Sequence, residues 1–195
     1  MEIGTLTSRQ NPLVKQAAAL AADAALRRET GTFLCEGARL CRDAVRSGLE
    51  AETCFFTPRA KERYSAYLEE ILPAAAAAYE VTPPVAALLA ATKTSQEIFC
   101  VVRQPVTNTG LTGLAPKGPC LVLEDLQDPG NLGTVLRTAE AFGVFRVLLL
   151  GDCCDPWSPK ALRASMGAVF RLDLSRWEST EELCQLLHGQ GYRLA

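Results

Sequence analysis

Asp128-Pro129-Gly130-Asn131-Leu132-Gly133 sets an acid, a carboxamide and two glycines in one short run, and a guanidinium follows at Arg137. The glycines let a backbone or a ligand approach closely. Asn131 offers one acceptor and two donors, and a helix N-terminus, where it falls, favours negative charge. Asn131 and Arg137 could therefore hold a phosphate or a sugar hydroxyl. The same residues also fit a purely structural role, with Asn131 as an N-cap and Arg137 solvated and paired with Glu140. Arg137 lies nearly two turns beyond Asn131, so the two side chains need not share a face. The spacing is neither the G-x-G-x-x-G dinucleotide turn nor a Walker A loop.

These residues need a scaffold. Pro119 to Glu124 reads as a continuously apolar strand of the parallel-sheet kind, and Asp125 to Gly130 as a loop. A helix from Leu132 to Phe142 follows, with Leu132, Val135, Leu136, Ala139 and Phe142 on one face, and Gly143 ends it. Phe145 to Leu150 is a second buried strand, which completes a βαβ unit with an expected right-handed crossover. In open parallel sheets ligands bind beyond the carboxyl ends of the strands, where this loop lies. Upstream, the periodicity predicts one helix over Asn11–Arg28 with Thr7 or Ser8 capping its approach, then a strand at Thr32–Cys35 and a helix through Leu40, Ala44 and Val45. Strands follow at Thr53–Thr57 and Ile98–Val102, with helices around Ala60–Leu72 and Pro84–Ala91. The tract from Pro73 to Ala78 is good helix material. Gln104 to Gly118 has the Pro, Gly and Asn content of a linker. The expected architecture is α/β: a small N-terminal α/β/α domain over 1–104, a linker over 105–118, and a parallel-sheet domain over 119–195.

Composition bounds the function. The chain has 195 residues, 48% of them hydrophobic and 22% charged, with a formal net charge of −2. That is ordinary globular composition, and it excludes grip on nucleic acid by bulk charge alone, though not a local basic face. There is neither a run of the roughly 20 apolar residues that a membrane span needs nor a secretory signal pattern at the start, so the expectation is a soluble, cytoplasmic protein. Eight cysteines without C-x-x-C spacing and a single histidine, His188, read as reduced thiols and a surface imidazole, with no metal site.

The whole string from Asp128 through Arg137 to Val144 resembles the first motif of the SpoU family of RNA ribose methyltransferases, within the SPOUT superfamily. Ser158 to Phe170 resembles the segment that follows it, and Ile3–Lys15, Arg27–Phe33 and Glu36-Gly37 resemble the family's substrate-binding domain. One departure is at Thr94–Ile98, where the family more usually carries Pro and Gly around the Gln. The resemblance implies an incomplete α/β-knot methyltransferase domain, because the two later motifs, which form the knot and most of the S-adenosylmethionine pocket, have no counterpart before Ala195. The chain then reads as an inactive fragment of a longer, homodimeric enzyme. The implied activity is methyl transfer from S-adenosylmethionine to a ribose 2′-hydroxyl of rRNA or tRNA, with Asn131 and Arg137 catalytic. RNA contacts are expected at Arg9, Lys15, Arg27, Arg28, Glu36, Arg39, Arg163 and Ser165, and residues 1–46 hold seven basic against five acidic side chains. The alternatives are a non-catalytic RNA-binding protein and, disfavoured by the missing glycine fingerprint, a nucleotide-cofactor enzyme on a doubly wound sheet.

Overall fold

The computed structural model describes residues 2–105 and 118–193. The first part runs β1 (Ile3–Leu6), α1 (Pro12–Ala22), α2 (Ala24–Thr30), β2 (Thr32–Glu36), α3 (Ala38–Arg46), β3 (Ala51–Phe56), α4 (Pro58–Arg63), α5 (Ser65–Ala74), β4 (Ala75–Val81), α6 (Pro83–Leu89) and β5 (Ile98–Arg103). Its strands form one mixed sheet in the order β1-β4-β3-β5-β2. Strand β4 runs parallel to β1 and β3, and β5 runs antiparallel to β3 and β2. The second part runs β6 (Cys120–Glu124), α7 (Pro129–Ala141), β7 (Arg146–Leu150), α8 (Pro159–Ser165), β8 (Asp173–Trp177) and α9 (Thr180–Gly189). Its three strands form a parallel sheet in the order β6-β7-β8. Most of the expected linker, residues 106–117, lies outside the described residues.

Local chemistry explains where the elements break. The run read as one helix over Asn11–Arg28 is two. Asn11 caps the first, its Oδ1 accepting the Leu13 N–H at 2.9 Å. Asp23 caps the second, accepting from Ala25 and Leu26 at 2.8 and 3.0 Å, and so turns the chain between them. Gly31, at φ +63°, closes α2. The alanine tract departs furthest from expectation: only Pro73 and Ala74 end a helix, and Ala75–Val81 is a central strand. Paired on one side to Ile3–Leu6 and on the other to β3, its backbone satisfies two neighbours at once, which outweighs alanine's intrinsic helix preference. Strands β1 and β8 and helix α9 are additions to the expected set. Strand β6, expected to be buried, is half-open: it pairs with β7 alone among the described residues, and Val122 is 36% exposed.

One apolar cluster spans both parts. Phe33 of β2 stacks on Trp157 at 4.9 Å between centroids and on Phe170 at 5.9 Å. Leu132, Leu136, Val147, Leu149 and Leu162 join the same cluster as Cys35, Cys54 and Cys100. Across this seam Arg27, 4% exposed, donates from Nε to Asp155 Oδ2 at 2.6 Å and from Nη1 to the Leu20 carbonyl at 2.5 Å. The seam thus carries aromatic burial together with a buried ion pair, and it sets α8 against β2, the edge strand of the first sheet, with α7 packed on α8.

Candidate functional site

The loop at the carboxyl end of β6 is shaped by two acids. Asp125 sits at φ +50° and accepts the Asp152 N–H at 2.8 Å, tying this loop to the one that follows β7. Asp128, not Asn131, is the N-cap of α7: its Oδ1 accepts the Asn131 N–H at 2.8 Å, and Pro129 occupies the first turn. The helix therefore begins three residues earlier than the periodicity placed it, because the apolar pattern starts only at Leu132. The second oxygen of Asp128 takes the Lys160 ammonium at 2.7 Å. That ammonium, together with the Asn131 N–H, holds the Asp128 carboxyl below its ordinary range.

Helix α7 lies almost backbone to backbone on α8. A Cβ at Gly133 would stand 2.5 Å from Ala164 Cβ, 2.6 Å from the Ala161 carbonyl oxygen and 2.8 Å from the Ser165 nitrogen. Glycine is thus a steric requirement of this crossing. Ser165 is consumed by it: fully buried, its hydroxyl donates to the Leu162 carbonyl at 2.9 Å, so it does not face RNA as expected.

The outer face of α7 carries Asn131 and Arg137, both exposed. The expected Arg137–Glu140 pair does not form. Glu140 is held bidentately by Arg171, through Nε and through Nη2 at 2.9 Å, and this guanidinium lowers the Glu140 pKa. Arg137 consequently has no ion-pair partner among the described residues, and the Asn131 side chain has no hydrogen bond there. The two are about 9 Å apart along the axis and about 120° apart around it, and no bond joins them. They can meet only through something laid across both.

The other expected contacts divide into three groups. Glu36, Arg39 and Arg163 come together: with Gly37, Leu40, Asp43, Gln96 and Met166 they line one groove of about 270 Å³, formed where α8 meets the start of α3, and Asp43 stands 3.7 Å from Arg39 Nε. In it Glu36 faces inward, accepting from the Ala91 N–H at 2.9 Å and the Thr92 hydroxyl at 2.5 Å, so it braces the 91–97 loop. Gln96 Oε1 accepts the Ala38 N–H at 2.8 Å and caps α3, whose N-cap, Gly37, has no side chain to do so. Arg9, Lys15 and Arg28 are exposed and separate from this groove. Arg27 leaves the RNA-facing set, because it is buried in the seam. The departure at Glu97 is resolved geometrically: this residue, beside Gln96, adopts φ +57°, and the Thr57 hydroxyl donates to its Oε2 at 2.6 Å. Lys160 and Arg171, which fix α7 in place, carried no signal in the sequence, because both partners lie about thirty residues away. Among the described residues no group of three His, Cys, Asp or Glu is placed to hold a metal, and no helix is long and apolar enough to cross a membrane.

Comparison with known proteins gives two family matches: the SpoU rRNA Methylase family over residues 118–195 and the MRM3-like substrate binding domain over residues 11–100. An uncharacterized tRNA/rRNA methyltransferase of Synechocystis is 35% identical over 199 residues, covering 99% of this chain and 69% of that protein. Human mitochondrial rRNA methyltransferase 3 is 32% identical over 175 residues, and the match spans only 37% of its length. The AdoMet-bound rRNA methyltransferase of Sinorhizobium meliloti superposes with a TM-score of 0.80 at 29% identity, over 96% of this chain and 69% of that one. An RNA 2′-O ribose methyltransferase does so at 0.71 and 29%, over 95% and 70%. In sequence and in fold, this chain belongs to the SpoU rRNA methylase family.

Proposed function

We propose that the protein transfers a methyl group from S-adenosylmethionine to a ribose 2′-hydroxyl of rRNA or tRNA, with Arg137 and Asn131 at the reacting nucleotide. The observation that carries this is the unpaired Arg137 guanidinium on an exposed helix face, left free because Arg171 has taken the neighbouring Glu140. An arginine kept from its nearest carboxylate is available to a phosphate. A guanidinium stays protonated and is a poor proton acceptor. It would instead grip the phosphate beside the target ribose bidentately and stabilise the negative charge that develops on the attacking oxygen. Asn131, nearly two turns earlier, would orient the sugar.

When bound, S-adenosylmethionine supplies an electrophilic methyl on a sulfonium. A surface beside α7 would receive it. Leu121, Val135, Phe142 and Val144, with Thr134 and Thr138, form an apolar wall open to solvent, and none of its lining residues is charged. That wall suits one face of an adenine but does not hold the amino-acid end. The RNA grip would fall mainly to residues 1–104, with Arg39 meeting Arg163 of α8 in the shared groove and Arg9, Lys15 and Arg28 beyond it. A cytoplasmic homodimer acting without a metal completes this reading, and Phe145, 57% exposed, is an apolar side chain left open for self-association.

The test is transfer of label from methyl-tritiated S-adenosylmethionine to rRNA and tRNA, followed by alkaline hydrolysis. Label retained in alkali-resistant dinucleotides supports 2′-O-methylation. Arg137→Ala should abolish turnover while leaving the circular dichroism spectrum and Tm unchanged, and wild-type-like methylation by that variant would refute the assignment. RNA binding without any S-adenosylmethionine binding in calorimetry would assign the chain to the non-catalytic alternative.

A further inference from the structure

A second groove, of about 650 Å³, opens on the far side of Gln96, between α4 and the 91–97 loop. Arg59, Arg63, Lys93 and Tyr64 line it, and Ser95 adds a hydroxyl. The three cations are exposed, and none has an ion-pair partner among the described residues. The one acid lining it, Glu97, is turned onto Thr57. Arg59 and Arg63 stand one helical turn apart on α4, about 6 Å along the axis, a spacing comparable to that of successive phosphates in an extended strand. The Tyr64 ring is half-buried, met edge-on by Tyr67 at 6.3 Å between centroids, and the Arg63 guanidinium lies over its face, 5.4 Å from the centroid. Unpaired bases stack on aromatic rings and on guanidinium planes held flat over them, whereas a duplex presents only its phosphates and groove edges.

We propose that this groove binds a single-stranded segment of the RNA substrate, with Arg59, Arg63 and Lys93 reaching the phosphates and one base stacked on the Arg63–Tyr64 pair. The inference rests on the RNA-methyltransferase reading and extends it. Gln96 lines both grooves, so the Arg39–Arg163 groove and this one adjoin. The substrate is then an RNA whose target nucleotide is flanked by an unpaired stretch. Two contacts hold the platform in position. The Glu97–Thr57 hydrogen bond ties the loop to the N-cap of α4, and the Gln96–Ala38 bond ties it to α3.

The experiment measures binding of a fluorescent 12-nucleotide oligouridylate, and of an RNA duplex of equal length, to the wild type and to the triple Arg59→Ala, Arg63→Ala, Lys93→Ala variant across a KCl series. Loss of three phosphate contacts should reduce the slope of log K against log [KCl] by about 2 for the single strand. Tyr64→Leu should weaken oligouridylate binding about tenfold or more, and Tyr64→Phe should not. An unchanged salt slope in the triple variant overturns the groove. Equal losses on the duplex overturn its single-strand character. Displacement of the oligouridylate by oligoglutamate at equal charge concentration would make this a protein-docking surface and overturn the RNA assignment. Arg137→Ala, measured alongside, separates the two readings. If the triple variant binds and methylates normally while Arg137→Ala is inactive, the groove fails and the enzyme assignment stands. If Arg137→Ala methylates normally while the triple variant loses its slope, the reverse holds.

Discussion

Gly133→Ala is the most discriminating perturbation of the site, because it changes no functional group and acts only through the contact between α7 and α8. The added methyl would lie 2.5 Å from one carbon and 2.6 and 2.8 Å from two backbone atoms of α8. Carbon contacts relax at about 3.5–4.0 Å, so the helices must part by about 1 Å, and no rotamer change can relieve two main-chain contacts. Overpacking of this kind costs about 1–3 kcal/mol, and alanine's better helix propensity returns about 1 kcal/mol. The net loss is up to about 2 kcal/mol, or a Tm lower by up to about 8 °C for a chain of this size. The functional cost is expected to be larger. Arg137 rides on α7 and Arg163 on α8, and a displacement of about 1 Å at a reacting centre costs up to about 100-fold in rate. Thermal denaturation, RNA affinity and methyl-transfer turnover should be measured on one preparation well below the Tm. Turnover falling far more than affinity is the expected pattern. A variant with unchanged Tm and unchanged turnover would refute the claim that this crossing positions the site.

Removing either partner of the buried Arg27–Asp155 pair should destabilise the fold by about 3–5 kcal/mol, and the Arg27→Ala, Asp155→Ala double variant should lose much less than the sum. Strict additivity in a denaturant-measured cycle would show that the pair does not fasten the seam. At Glu97, whose φ is +57°, Glu97→Gly should be more stable than Glu97→Ala by about 1 kcal/mol, since both lose the bond from Thr57 but only glycine relieves the backbone; equal stabilities would refute the strain. Asp128 and Glu140 both have lowered folded-state pKa values. Each therefore contributes stability that is present above the unfolded value, near pH 4, and lost as pH falls through the lowered folded value. Tm should decline on acidification below about pH 4, less steeply in Glu140→Gln, and identical pH profiles for the variant and the wild type would refute the Arg171 linkage.

Much of this was legible beforehand because it is local. The β6–α7–β7 unit, the helix α3 ending at Ser47-Gly48 and the strands β2, β3 and β5 follow from periodicity and turn chemistry acting within a few residues. What misled were residues whose local preference lost to a distant partner. The alanine tract became a strand because β1 and β3 both required its backbone. Arg27 and Ser165 looked like surface polar residues and are buried, one paired across the seam with Asp155 and the other bonded to the Leu162 carbonyl. Arg59, Arg63 and Lys93 showed nothing in sequence because thirty residues separate α4 from the loop that completes their groove.

The amino-acid sequence alone determined the class of the chain, an α/β fold with an acid–amide–glycine corner and an arginine two turns on, because capping, helical period and glycine placement are short-range effects. Only the tertiary structure decided what that arginine is free to do. Arg137 is unpaired because Arg171, brought round from beyond α8, outcompetes it for Glu140 with a two-pronged hydrogen bond. Competition of that kind depends on distances in space, and spacing along the chain does not set them.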